Sequence, residues 1–364
     1  MLDMKLGIVG LGGWVTTGHL PALTDLGIKV DYCADIDEKR VKDFSQKTGC
    51  KGYLDYKEML RNENPDLVLV AVPHSLHATI ALDAINSDAN VYVEKPMATS
   101  FQEALTLVEA SRKRNKVLVV GHENRFNPAM LIAKKLIRSG EVGKIYHMRG
   151  FYIRQRGIPT SPTFIKKDLA KGGAVFDIGT HIVDLLLFLS DFPMPKSVTG
   201  KTYSAFSNDK TKFSVYPSPN LPNFKVEVED FGSAFLNLGD EISAYMEVSW
   251  ASYIKENKME VVVLGNKGGI HIDNGMLNFM RNIADELFLS TPSTQQQRGS
   301  VYREVWRTVM DSISKGIPEY PLCSAEQGAI GLAILESIYK SALEGREVKI
   351  DIPQWLLKQS QPVS

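Results

Sequence analysis

The chain has 364 residues, 44% hydrophobic and 23% charged, a length that suits about two domains, each able to bury a core. Lys plus Arg and Asp plus Glu both number 42, which excludes a global field favouring nucleic acid or an anionic membrane. Cys33, Cys50 and Cys323 are odd in number and widely spaced, against a disulfide framework. No stretch approaches the ~20 apolar residues of a bilayer span, and a strand already beginning near Lys5 leaves no room for a signal peptide. The expected compartment is the cytoplasm.

Short apolar runs at Leu6–Val9, Ile28–Ala34, Leu67–Val72, Val91–Glu94 and Val117–Gly121 read as strands buried on both faces. Amphipathic segments separate them, such as Phe101–Lys113, with Leu105 and Val108 toward a sheet and Arg112 and Lys113 toward water. This alternation predicts an α/β, doubly wound parallel sheet of Rossmann type over residues 1–123. The rhythm then changes. A helix at Pro128–Ser139, a strand at Lys144–Tyr152 and a helix near Asp177 precede strands at Phe231–Asn237, Ser243–Trp250 and Met259–Leu264. Ser214–Asn223 is a Pro-rich loop, Ala325–Leu343 a closing helix and Glu347–Ile352 a last strand. Strands without intervening helices predict, over residues 124–364, a second, α+β domain with a mostly antiparallel sheet.

Gly10-Leu-Gly12-Gly13-Trp14-Val15 follows a strand and opens a helix. Gly10 permits a tight turn, and Gly12 lets main-chain N–H groups approach a pyrophosphate at a helix N-terminus. Val15 stands where a small third residue is usual. Asp35, 20 residues beyond Val15, sits at the expected tip of the second strand, where a carboxylate accepts bonds from an adenosine ribose. That acid favours NAD, while Lys39 and Arg40 leave NADP open. Glu94-Lys95-Pro96 puts an ammonium at the carboxyl end of a parallel strand, where ligands of open α/β sheets bind and a developing alkoxide could be stabilised. Pro96 would fix the lysine's direction; the alternative is a solvated Glu–Lys pair. Gly172-Gly173 precedes Asp177, His181 and Asp184, which share one face if the segment is helical. The glycines would let the backbone approach a ligand. His181, with an ordinary pKa of ~6.5, suits a general base; the alternative is a helix histidine satisfied by a neighbouring carboxylate.

Pro73-His74-Ser-Leu-His77, Glu94-Lys95-Pro96, Gly121-His-Glu-Asn-Arg125-Phe126-Asn-Pro128 and the Gly172–Asp184 cluster together resemble the glucose–fructose oxidoreductase/inositol dehydrogenase (Gfo/Idh/MocA) family. The order is kept over essentially the whole chain, including Glu229-Asp230-Phe231-Gly232 and Ser324-Ala-Glu326. The resemblance implies a catalytic trio of Lys95, Asp177 and His181. It implies that Gly10, Gly12 and Gly13, with Trp14 and Val15 beside them, cradle the pyrophosphate, and that Asp35 binds the ribose. Pro73, His74, His77, Glu94, Lys95 and Arg125 would line the nicotinamide side. Val15 and His74, the latter where asparagine is usual, depart from the pattern.

The implied activity is hydride transfer between NAD(P) and a secondary alcohol of a sugar or polyol, by a homodimer or homotetramer built on the open sheet. Tyr152, Arg154 and Arg156 alternate and would share one strand face; if it meets the substrate with Lys95, Asp177 and His181, the arginines would select a carboxylated or phosphorylated sugar. His74-x-x-His77 lacks a third ligand at a suggestive spacing, so no metal is expected. Two other readings are a glycoside hydrolase using transient oxidation by NAD, and a non-catalytic nucleotide-binding regulator.

Overall fold

The computed structural model describes residues 4–207, 209–214, 225–292 and 301–360. Apart from Ser214, the expected Pro-rich loop lies outside the described residues. Two compact units emerge, one of residues 4–123 and 301–329, the other of residues 124–292 and 330–360.

The first unit begins β1 (Leu6–Val9), a π-helical turn (Val15–His19), α1 (Leu20–Asp25), β2 (Tyr32–Ala34), α2 (Glu38–Thr48), β3 (Lys51–Tyr53) and α3 (Tyr56–Glu63). It continues β4 (Leu67–Val70), α4 (His74–Asn86), β5 (Asn90–Glu94), α5 (Phe101–Lys113) and β6 (Leu118–Gly121). The six strands pair in parallel in the order β3-β2-β1-β4-β5-β6, the doubly wound arrangement expected. The second strand is shorter than its apolar run because the Ile28 amide bonds Leu23 O (2.9 Å) to close the preceding helix. β3 has no apolar run to betray it: it is a three-residue edge strand without a buried position. α5 starts with reciprocal caps, Ser100 Oγ accepting from Glu103 N (3.2 Å) and Glu103 Oε2 from Thr99 N (2.9 Å). It buries Ala104, Leu107 and Val108 rather than Leu105.

The second unit starts with α6 (Pro128–Arg138), β7 (Ile145–Ile153), short helices α7 (Pro162–Ile165) and α8 (Lys167–Ala170), a π-helical turn (Val175–Gly179) and α9 (Thr180–Leu189). There follow β8 (Pro195–Tyr203), β9 (Phe231–Leu238), β10 (Ile242–Ser249), β11 (Lys258–Gly265), β12 (Gly268–Asp273), β13 (Met276–Ile283) and β14 (Glu286–Ser290). They form a sheet in the order β14-β13-β12-β11-β7-β10-β9-β8, in which only β7–β10 is parallel.

The single cut at residue 123 needs correction. α10 (Val301–Lys315) packs on α1, and β15 (Cys323–Ser324) adds an antiparallel strand beside β6, so residues 301–329 belong to the first unit. α11 (Ala325–Glu344) begins there and ends in the second unit. β16 (Val348–Lys349), extending that unit's sheet beside β8, and α12 (Gln354–Ser360) close the chain.

Residues Lys167–Leu189 are, by length and composition, apolar enough to cross a membrane, contrary to the expectation of no such stretch; their most apolar window is wholly buried in this fold.

Candidate functional site

In the first unit, the chain leaves β1 at Gly10 with φ +91°, where a Cβ would lie 2.3 Å from Ala71 O; only glycine fits. At Gly12 and Gly13 an added Cβ would meet nothing within 4 Å, so the main chain faces open space ahead of the helix. Val15 is fully buried, so the position that usually requires a small residue is filled by core packing, while Trp14 is exposed and edge-on to Tyr302. Asp35 Oδ2 accepts from Leu11 N (2.8 Å) and Oδ1 from Asp37 N (2.9 Å), which ties the glycine turn to the tip of β2. An ionised carboxylate has about four acceptor positions, so capacity remains for ribose hydroxyls. Arg40 lies 3.7 Å from Asp35 and 3.5 Å from Asp37, and is thus shared between two acids. An open glycine cradle beside an acid of this kind fits a dinucleotide and disfavours a 2′-phosphate.

Along the same edge of this sheet, Pro73 caps α4 and both His74 and His77 are buried. The His77 ring bridges Pro96 O (Nδ1, 2.7 Å) and Val72 O (Nε2, 2.8 Å). Two carbonyls would favour the charged ring, but burial outweighs them and holds its pKa below the ordinary value, and the ring ties Pro96 to Val72. It thereby braces the turn carrying Lys95, whose bond to Pro96 is cis. Lys95 itself is half-buried at the end of β5.

Glu94, buried, accepts from His19 Nε2 at 2.9 Å. Trp306 Nε1 donates to His19 Nδ1 at 3.2 Å, so the ring proton sits on Nε2. His19 and Trp306 were not foreseen as site residues. The available signal is that His19 falls on the apolar stripe of Val15, Leu20 and Leu23, where a buried polar side chain needs a partner.

In the second unit, Asp177 lies in the π-helical turn and His181 in the first turn of α9, both buried. Asp177 Oδ2 accepts from the indole Nε1 of fully buried Trp250 at 2.9 Å, a partner that sequence reading missed. Asp184 goes elsewhere: it pairs with Arg125, Nη2–Oδ1 2.6 Å and Nε–Oδ2 2.9 Å, with Phe188 and Phe192 flanking the guanidinium. The expected nicotinamide-side role of Arg125 therefore competes with a buried ion pair that already holds α9. Gly172 and Gly173 do not open the backbone to a ligand as expected. A Cβ on Gly172 would lie 2.3 Å from Tyr339 Oη, and one on Gly173 1.8 Å from Glu229 O. Glu229 Oε1 accepts from Gly173 N (2.9 Å), Val175 N (3.0 Å) and Tyr339 Oη (2.6 Å), anchoring the start of the turn that carries Asp177. Burial pushes the Glu229 carboxyl pKa up, against these donors.

The second unit also holds a cavity of about 550 Å³ lined by Asn127, Tyr152, Arg154, Asn257, Lys258 and Asn274 among others. Tyr152 and Arg154 are among the lining residues. Arg156 does not line it: β7 ends at Ile153, the chain bends, and Arg156 is exposed.

The family model described as "Oxidoreductase family, NAD-binding Rossmann fold" matches residues 4–122, and "GFO/IDH/MocA C-terminal domain" matches residues 130–271. The chain is 27% identical to D-glucoside 3-dehydrogenase of Escherichia coli over 307 residues, covering 81% of this chain and 82% of that protein. It is 25% identical to myo-inositol 2-dehydrogenase of Thermotoga maritima over 368 residues, 96% of this chain and 99% of that protein. Among solved structures, levoglucosan dehydrogenase in complex with NADH has the same fold, with a TM-score of 0.84 at 20% identity, covering 96% of this chain and 100% of that one.

Proposed function

The chain belongs to the Gfo/Idh/MocA family, and on that premise we propose that it is an NAD-dependent dehydrogenase acting on a secondary alcohol of a sugar, sugar derivative or polyol. The observation that carries this reading is that both family halves match, the first containing Lys95 and the second Asp177 and His181. Bound NAD supplies the hydride acceptor. His181 takes the hydroxyl proton as general base. The Lys95 ammonium, braced through the His77–Pro96 bond, stabilises the alkoxide. Asp177, held in place by the Trp250 indole, binds a substrate hydroxyl or orients His181. Gly10, Gly12, Gly13 and Asp35 hold the dinucleotide. Pro73, His74 and Glu94 shape the turns on the nicotinamide side.

The enzyme is further read as a cytoplasmic homo-oligomer associating through the uncovered face of the second unit's sheet. The test is NADH formation across aldoses, anhydrosugars, uronic acids and inositols, followed by Lys95→Ala and His181→Ala. Stoichiometric NADH from one class, with kcat lowered on the order of a hundredfold or more in both variants, is expected. Glycoside cleavage without net NADH would replace the reading by the hydrolase, and wild-type rates in both variants would remove the two roles.

A further inference from the structure

The second unit's cavity is rich in hydrogen-bond donors. Asn127 Oδ1 is occupied by Ala129 N (2.9 Å), Asn257 Oδ1 by Gln155 N (2.8 Å) and Asn274 Oδ1 by Met259 N (3.2 Å). With one lone pair of each carbonyl oxygen taken by a backbone N–H, the three side chains offer their NH2 groups and at most one further acceptor position apiece. A Cβ added at Gly275, itself part of the lining, would lie 3.7 Å from Asn127 Nδ2, which points that amide at the cavity wall. The Tyr152 hydroxyl accepts from Arg154 Nη2 at 2.8 Å, so its own proton is available to donate.

The charge is equally one-sided. No Asp or Glu lines the cavity. Lys258 is neutralised by Glu260 at 2.7 Å. Among the described residues no carboxylate pairs with Arg154, which lies with its guanidinium carbon 4.7 Å from the Tyr152 ring centre. Outside the described residues the sequence has a single acidic side chain, Asp3. A half-buried guanidinium without a counter-charge, surrounded by donors, is complementary to an oxyanion.

The location links the cavity to the proposed chemistry. Gly150, two residues before Tyr152 on β7, faces Ile182 of α9, so Tyr152 lies on the sheet face covered by the helix that bears His181. Arg154 N bonds Ser249 O at 3.0 Å, next to Trp250, whose indole holds Asp177.

We propose that this cavity receives an anionic group of the substrate, a carboxylate or phosphate on a monosaccharide-sized polyol, with Arg154 as the specificity-determining residue. A cavity of this size accommodates one sugar ring. The proposal rests on the dehydrogenase reading for the ligand being a substrate, but binding is measurable without turnover.

The experiment is calorimetric titration of the NAD-loaded enzyme with matched sets of glucose, galactose and mannose, their uronates, their aldonates and their 6-phosphates. Wild type, Arg154→Gln and Arg154→Lys are compared, with folding checked by circular dichroism. At least one acidic member is expected to bind roughly tenfold or more tighter than its neutral parent, an advantage lost in Arg154→Gln and partly kept in Arg154→Lys. Uronates or aldonates against phosphates tell which oxyanion is taken. Neutral and acidic members binding alike, no acidic member binding at all, or an undiminished advantage in Arg154→Gln would each overturn the proposal. Charge-selective binding without NADH formation from any member of this set, or from the anhydrosugars and inositols, would instead sink the dehydrogenase reading and leave this one standing.

Discussion

Trp250 donates to Asp177 from full burial, in a setting where a charged hydrogen bond is worth about 1.5–3 kcal/mol. Trp250→Phe keeps an aromatic ring, though a smaller one, and removes the donor, so kcat is expected to fall by roughly tenfold to a hundredfold with NAD affinity unchanged. Steady-state kinetics beside an NAD titration check this; an unchanged kcat would take the positioning role from Trp250. His77 makes a pH prediction. Its pKa is lowered in the folded state by burial, so the unfolded chain takes up a proton more readily as pH falls. The stability it contributes is complete above the unfolded value of about 6.5 and is lost as pH drops below it. Thermal midpoints of wild type should fall more steeply below that pH than those of His77→Gln; parallel profiles would contradict the assignment.

At the level of elements, the glycines fall into two kinds that the sequence does not distinguish. A Cβ at Gly12 meets only open space, whereas one at Gly173 collides with Glu229 O. Gly12→Ala is therefore expected to keep its thermal midpoint and weaken NAD binding, because the added methyl occupies the approach of the pyrophosphate. Gly173→Ala should lower the midpoint by several degrees, since the turn bearing Asp177 must move away from Glu229, just ahead of β9. The two variants exchanging these phenotypes would refute the assignment. Turn-forming glycines have the same local signature whether the space they leave belongs to a ligand or to a neighbouring strand. The π-helical turns at Val15–His19 and Val175–Gly179 were likewise hidden, since an extra residue per turn leaves the apolar pattern helical.

For the whole molecule, the two units carry different parts of the proposed machinery, and the proposed self-association involves the second. Gly232, Ala234 and Leu236 of β9 and Ala244, Met246 and Val248 of β10 are buried on one face of its sheet. The opposite face bears Phe151, Phe235 and Tyr245, with the Phe151 and Tyr245 rings 5.9 Å apart. Phe235→Lys combined with Tyr245→Lys is expected to shift sedimentation velocity from dimer or tetramer to monomer. An unshifted oligomer would place the interface elsewhere.

The parallel sheet, the glycine turn, the strand-end placement of Asp35 and Lys95 and the helical placement of Asp177 and His181 were legible in the chain, because periodicity, turn chemistry and strand-end motifs act within about 20 residues. The folded molecule alone decided the partners. Arg125 and Asp184 are separated by 59 residues, Asp177 and Trp250 by 73, and His19 and Trp306 by 287. It also decided that residues 301–329 return to the first unit, where a two-residue strand gains its hydrogen bonds only from β6. A buried donor seeks whichever acceptor the packing brings near, and local sequence carries no record of that choice.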